Sequence, residues 1–544
     1  MQGPAHSIFF RYRDYAAPVS VFLVAFVLRC LFVESNSIAL DEPFSIYHAQ
    51  MGIPEIIARL KTGNNPPLYE ILLHGWIRVF GISPLSVRFP SLLFGAATAS
   101  FVYLLGKEFL NRRTALLATV LVTFSTYQVY FSHEARVYAL FSLLATVSFY
   151  LFLKWARRPG HKTYIILLFF TDLAMVYAHY FAFFVILLQC VSVALRVRTD
   201  RRLLPQYLAM LGLLVLAYVP NIYVVWLRFR DASAHKTWVP PVENLGHLHD
   251  LIFYFSNRHR AVYVVFLVLL WAAAHKLARR NLPGSYAGLV AAGAVVPLLF
   301  FTGISVFVPL PLMWKITSQP VYTAFFLVAS GAFLVGVNRV SRPDTALIVN
   351  WFLGPLLLMF ALSFRIPVFL DRYLVFVSPA FYLTVAAAAD YLIKPRTAFG
   401  FISGGICVLM AGTVNPNPGN HRQVKELVRQ AEALDTPNTL VVLCPKDFEL
   451  SLAYHYAPEI FKRPGRLTER LREARVLSVY HADEVHTDGY PHVLYIDAGS
   501  GFSAPHKGIY EKLTAGYGLR NRYVYADSLI LYDFAAPEPV PGRP

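Results

Sequence analysis

Long apolar runs alternate along the chain with short, mostly basic connections, and that alternation predicts most of its elements. A helix of about 20 apolar residues crosses a hydrocarbon core roughly 30 Å thick. By that measure spans fall near 17–33, 88–106, 114–131, 137–153, 163–178, 180–195, 207–227, 261–275, 286–308, 321–338, 346–364, 373–393 and 398–414, about thirteen in all. The first run, Ala17 to Val33, lacks a small-residue cleavage site and reads as a signal-anchor helix. Two stretches break the pattern. Residues 34–87 are a long polar segment in which Ile53 to Leu60 reads as an interfacial amphipathic helix and Leu68 to Phe80 as a second one. From 415 onward the periodicity becomes that of a small α/β unit. Helix-like 423–434 and 448–456 alternate with strands at 439–444, 475–480 and 492–496, and 522–534 forms a closing hairpin, which suggests a partly parallel sheet. The expected fold class is therefore a polytopic α-helical membrane protein, residues 1–414, followed by a small α/β domain, residues 415–544.

The charges orient this arrangement. Arg11/Arg13, Lys107/Arg112/Arg113, Lys154/Arg157/Arg158/Lys162, Arg196/Arg198/Arg201/Arg202, Lys276/Arg279/Arg280, Arg339/Arg342 and Lys394/Arg396 all occupy alternate loops. The positive-inside rule puts those loops in the cytoplasm, together with the N-terminus. An odd number of spans then makes the C-terminal domain extracytoplasmic. The formal net charge is +17, but the tail from Asn415 holds 15 Lys/Arg against 16 Asp/Glu, so the excess lies in the membrane part. That argues for membrane orientation and against nucleic-acid binding. Mean hydropathy of +0.48 excludes an ordinary soluble enzyme. The four cysteines, Cys30, Cys190, Cys407 and Cys444, form neither a disulfide framework nor a metal motif.

The extracytoplasmic face collects the residues capable of chemistry. Asp41 and Glu42 directly follow the first span; a carboxylate there can take a proton from an acceptor hydroxyl or help hold a metal, although an adjacent acidic pair also suits the start of a solvated loop. Ser132-His133-Glu134-Ala135-Arg136-Val137-Tyr138 joins two spans with almost no loop, which holds Glu134 and Arg136 at the membrane rim. An interfacial salt bridge with snorkelling side chains is the plain alternative. Asp371-Arg372-Tyr373 opens a later span; Arg372, with Arg365 nearby, can clamp a phosphate or merely pair with Asp371. Asn64-Asn65-Pro66-Pro67-Leu68-Tyr69 reads as a turn that starts a surface helix, its asparagines able to face a cavity. His179 reads as an interfacial histidine rather than a ligand.

With those residues in place the chain resembles the bacterial glycosyltransferases of the dolichyl-phosphate-mannose–protein mannosyltransferase superfamily, to which the aminoarabinose transferases of lipid A are related. The resemblance rests on Leu40-Asp41-Glu42, Asn65-Pro66-Pro67-Leu68-Tyr69, Val87 to Gly95, Ser132 to Leu140 and Asp371 to Leu374, in that order. It implies a GT-C fold and a multi-pass enzyme of the plasma (inner) membrane. Such an enzyme moves a sugar from a polyprenyl-phosphate-linked donor to a lipid, protein or polysaccharide acceptor on the extracytoplasmic face, with inversion at the sugar. By resemblance the catalytic residues are Asp41, Glu42 and Glu134, and a divalent metal, if used, would fall to the same three. Arg136, Tyr138, Asn65, Tyr69, Arg372 and Arg365 are the substrate- and phosphate-binding candidates. One departure stands out: some relatives carry a lysine just before the Pro-Pro pair, where this chain has Asn65.

Two other readings compete. A transporter or flippase should place ionisable residues near the bilayer midplane and show an inverted repeat; here the midplane positions look mostly apolar and no repeat is evident. A non-catalytic envelope-assembly partner would act through its extracytoplasmic domain.

Overall fold

A computed structural model of the chain describes residues 4–61, 63, 65–234, 239–281, 320–499 and 508–537. Its described α-helices, in chain order, are α1 (Pro4–Cys30), α2 (Glu42–Ala49), α3 (Ile53–Leu60), α4 (Leu68–Phe80), α5 (Pro84–Leu105), α6 (Arg112–Thr123), α7 (Thr126–Ser132), α8 (Tyr138–Arg157), α9 (Lys162–Ala178), α10 (Ala182–Arg196), α11 (Leu203–Ala234), α12 (Gly246–Phe255), α13 (Arg260–Asn281), α14 (Pro320–Val340), α15 (Pro343–Leu362), α16 (Ser378–Leu392), α17 (Arg396–Thr413), α18 (Val424–Leu434), α19 (Glu449–Tyr456), α20 (Pro458–Phe461), α21 (Leu467–Glu473) and α22 (Gly508–Gly516). The span expected near 286–308 lies outside the described residues, and a helix is found at each of the others. Among the described residues seven helices are long and apolar enough to cross a membrane, or eight when the bent α6–α7 pair counts as one.

The chain forms two compact units. One comprises residues 1–31, 60–69 and 90–418; the other comprises 32–59, 70–89 and 419–544. Most of the loop 34–87, placed with the membrane helices by its sequence, thus groups with the tail. The reason is hydrogen bonding. His455 and Asn420 reach the carbonyls of Ile38 and Ser37, and Tyr454 donates to the carbonyl of Ile82.

In the helical unit α8 packs along α9, and α16 packs against α6, α13 and α15. Phe149 and Trp351 pack in the interior with their rings tilted and their centroids 4.4 Å apart. Arg157 and Arg196 converge on Asp344 at 2.6 and 2.9 Å, tying α8 and α10 to the start of α15. The interior also contains a polar cluster that the apolar reading of these helices did not anticipate. Fully buried Asp172 on α9 accepts from Ser148 on α8 at 2.6 Å, and Gln189 on α10 donates to Ser148 at 2.7 Å and accepts from Tyr207 on α11 at 2.9 Å. These bonds join four helices, and Asp172 Oδ2 has no partner among the described residues.

The other unit holds a five-stranded sheet: β1 (Thr439–Cys444), β2 (Val476–Ser478), β3 (His492–Ala498), β4 (Gly518–Val524) and β5 (Leu529–Ala535), in the order β2-β1-β3-β5-β4. β1 runs parallel to β2 and β3, while β5 is antiparallel to β3 and β4. This is the partly parallel α/β unit with a closing hairpin that the alternating pattern predicts. Leu440, Val442, Val493, Tyr495, Ile509 and Phe534 form its core. β4 is an exposed edge interrupted by a register shift at Leu519/Asn521 and carries Arg520 and Arg522, features that keep an edge from pairing with other chains.

Candidate functional site

Asp41 and Glu42 stand at the start of α2, just after Leu40, which takes the left-handed conformation with φ of 55°. A leucine rarely adopts that backbone, and holding it there costs about 1–3 kcal/mol. The turn gives adjacent carboxylates opposite surroundings. Asp41 is the half-buried N-cap residue and makes no side-chain capping bond. Glu42 is 2% exposed and grips Arg88 with both oxygens, Oε1 to Nε at 2.8 Å and Oε2 to Nη2 at 2.6 Å. The remaining donors of Arg88 reach the carbonyls of Val33, Asn36 and Ser37. All five guanidinium N–H groups are therefore used. Each Glu42 oxygen is thus engaged by Arg88, an arrangement that holds the loop in place. Arg88 and Glu70, which sequence reasoning did not single out, share this work, since Ser45 on α2 donates to buried Glu70 at 2.8 Å.

The turn so fixed borders a cavity of about 330 Å³ in the same unit, lined among others by Glu34, Asn36, Ser37, Lys425, Arg429 and Tyr454. Lys425 and Arg429 are one turn apart on α18 and so lie on one face of it.

In the helical unit the segment 133–137 is delivered by a broken helix. α6 and α7 meet at 57°, and the backbone groups freed at the break need partners. Asn257 supplies them: its Oδ1 accepts from Thr126 N–H at 2.7 Å and its Nδ2 donates to the Phe124 carbonyl at 3.0 Å. Ser125 caps α7 by accepting from Gln128 N–H. At the far end of α7, Ser132 receives a hydrogen bond from the fully buried Arg29 at 3.1 Å, and His133 Nε2 contacts the Arg29 carbonyl at 2.7 Å. Gly95 makes room for this contact, because a Cβ there would overlap Ser132 Oγ and lie 2.8 Å from Arg29 Nε.

Glu134 is half-buried and hydrogen-bonded by Tyr130. Arg136, 6% exposed, lies over the ring of buried Tyr138 at 5.8 Å. Arg372 is half-buried, its N–H bound to Asp371 Oδ1 at 2.7 Å, in a 3₁₀ turn over Asp371–Val377. Tyr127 holds that turn by donating to the Asp371 carbonyl. Arg365 is exposed at the end of α15. Asn65 and Tyr69 are buried rather than open to solvent; Tyr69 pairs with Ser91 at 3.3 Å, and Asn65 Oδ1 has no partner among the described residues. Asn64 lies outside the described residues. No group of three or more His, Cys, Asp or Glu residues able to hold a metal gathers among the described residues, and the four cysteines are unpaired.

His179 belongs to this neighbourhood. It follows α9, is 1% exposed and stacks face to face on Phe141 at 4.5 Å, with Tyr373 edge-on at 5.8 Å. Burial, and then the charge of Arg136, push its pKa down to about 3, so the ring is neutral. Nδ1 accepts from Phe181 N–H at 3.2 Å, which leaves the proton on Nε2. That buried Nε2–H has no partner among the described residues. A donor left so costs about 1–3 kcal/mol.

No curated protein matches the chain. Among solved structures it is similar to ArnT from Cupriavidus metallidurans in the apo state, with 13% identity over 96% of this chain and 98% of that one and a TM-score of 0.46. The same protein bound to undecaprenyl phosphate gives 12% identity over 95% and 97%, with a TM-score of 0.47. The Archaeoglobus fulgidus oligosaccharyltransferase complex with Zn and sulfate gives 12% over 96% and 73%, with a TM-score of 0.49. A family model matches within the sequence itself: residues 64–226, which include Asn65, Tyr69, Glu134, Arg136, Tyr138 and His179, match that of dolichyl-phosphate-mannose-protein mannosyltransferase, the family that the chain's motifs resemble.

Proposed function

We propose that the protein is a GT-C glycosyltransferase that moves a sugar from a polyprenyl-phosphate-linked donor to an acceptor of the cell envelope, at the extracytoplasmic face of the plasma membrane. One observation carries the reading: the segment matching a polyprenyl-phosphate sugar transferase family contains a helix break that presents a carboxylate, Glu134, two residues from a stacked and nearly buried guanidinium, Arg136. A phosphate leaving group needs cationic stabilisation, which Arg136, Arg372 and Arg365 supply in this reading. The acceptor hydroxyl oxygen bonds to the anomeric carbon as the bond from that carbon to the phosphate oxygen breaks, with inversion. A carboxylate takes the hydroxyl proton, the role that the resemblance gives to Asp41. Glu134, held by Tyr130, orients the donor sugar. The N-terminus is cytoplasmic and the tail extracytoplasmic, as the basic loops predict.

The test is transfer from a panel of radiolabelled polyprenyl-phosphate hexoses and pentoses to native envelope acceptors, by wild type and Asp41→Asn. Transfer by wild type that Asp41→Asn abolishes supports the proposal. Consumption of no donor by the folded wild type sinks it.

A further inference from the structure

The buried imidazole of His179 has an acceptor side that is satisfied and a donor side that is not. Two further features make this more than a packing defect. Arg136 is near enough for its charge to act on the ring, and both belong to a wall of aromatic residues: Phe141 beneath the imidazole, Tyr373 at its edge, Phe181 at 5.4 Å and Tyr138 at 6.4 Å. A cation and a neutral N–H donor inside an aromatic enclosure attract an anion, and they favour one that offers several acceptor oxygens. The neutral ring can donate without adding a second positive charge beside Arg136.

We propose that His179 Nε2–H donates a hydrogen bond to an oxygen of a phosphate ester held by Arg136, so that the two residues form an anion site. The phosphate is that of the lipid carrier, an identification that rests on the function proposed above. His179 thereby selects for ligands bearing a phosphate oxygen and positions the leaving group against the guanidinium. Phe181 N–H fixes the tautomer, and the Phe141 stack fixes the ring plane.

The experiment uses the full-length protein in detergent with polyprenyl phosphate, inorganic phosphate and the phosphate-free polyprenol as probes. It measures affinity together with the ¹⁵N resonance of His179 Nε2 in histidine-labelled protein, assigned with His179→Gln. Polyprenyl phosphate should bind and move that resonance in the direction of a stronger hydrogen bond. His179→Phe should weaken binding about tenfold, the loss of one hydrogen bond to an ion, and His179→Gln, which keeps an N–H donor, should recover most of it. Polyprenol should neither bind comparably nor move the resonance. Binding by His179→Phe as tight as by wild type, or an unmoved wild-type resonance with ligand bound, overturns the inference and leaves the proposed function standing. The resonance test stands on wild-type protein even where His179→Phe misfolds. An equal response to inorganic phosphate overturns the assignment to the lipid carrier. Failure of wild type to bind polyprenyl phosphate overturns the proposed function itself and the inference with it.

Discussion

Arg88 reaches from the first turn of α5 to clasp Glu42 with two parallel bonds, Nε to Oε1 at 2.8 Å and Nη2 to Oε2 at 2.6 Å, both residues almost wholly out of water. The pair separates two roles that the sequence places side by side. Asp41→Asn should leave the melting temperature in detergent nearly unchanged, a change within about 0.5 kcal/mol, and lower transfer at least about 100-fold. Glu42→Ala should destabilise the fold by about 3–5 kcal/mol, because it strands a buried guanidinium. The double variant Glu42→Ala/Arg88→Met should lose less than the two single losses added together. A Glu42→Ala protein that melts like wild type would refute the structural role.

Gly95 faces the contact between Arg29 and Ser132 with no room for a methyl group. Gly95→Ala should cost about 1–3 kcal/mol by forcing those side chains apart. Gly75, where a Cβ meets nothing within 4 Å, is the matched control, and Gly75→Ala inside α4 should be neutral or stabilising. Thermal unfolding of the two variants decides the matter.

Asn257 completes the break between α6 and α7 by serving as the partner of both freed backbone groups. Asn257→Ala leaves a carbonyl and an N–H unmet and should cost about 1–3 kcal/mol. Asn257→Asp keeps the acceptor and removes the donor, so it should fall between. Because α7 carries segment 133–137, transfer should drop more steeply than stability in both variants.

Of the fold, the parts governed by local periodicity were legible: the apolar helices, the α3 and α4 surface helices and the strand–helix alternation of the tail. What escaped depends on partners remote in sequence. Arg88 lies 46 residues from Glu42, and nothing local distinguishes it from an ordinary basic residue at a helix start. Asn257 stands 131 residues from the amide it satisfies. Asp172 sits singly within an apolar run, and its partners Ser148 and Gln189 are on two other helices. His179 was visible as a residue, but its exposure was not: an interfacial position and a buried aromatic stack look alike in a string of letters.

The neutral His179 also makes a statement about acid stability. Its pKa falls from an ordinary 6.5 to about 3 in the fold, so the unfolded chain binds the extra proton between those values. Stability should therefore be full above about pH 6.5 and decline as pH falls toward 3, by at most about 1.4 kcal/mol per pH unit from this group. The groups facing the ring are Phe141, Phe181, Tyr138 and Tyr373, with the charge of Arg136 acting on it. Melting temperatures of wild type and His179→Gln measured from pH 7.5 to 4.5 should diverge in slope, with the wild type losing more. Parallel curves would show that the imidazole is not held neutral.

The unit that contains Asp41 is stitched from the two ends of translation. Backbone and side-chain groups at Ser37, Ile38, Gln50 and Ile82 are met by Lys425, His455, Phe461 and Tyr454, made 372 to 417 residues later. A nascent chain emerging at the ordinary pace of about 5–20 residues per second must carry its first loop unfinished for tens of seconds. A ribosome that stops early in the tail thus releases a chain whose Arg88–Glu42 clasp has every atom it needs, while Ser37, Ile38, Gln50 and Ile82 still lack the partners that the tail would bring.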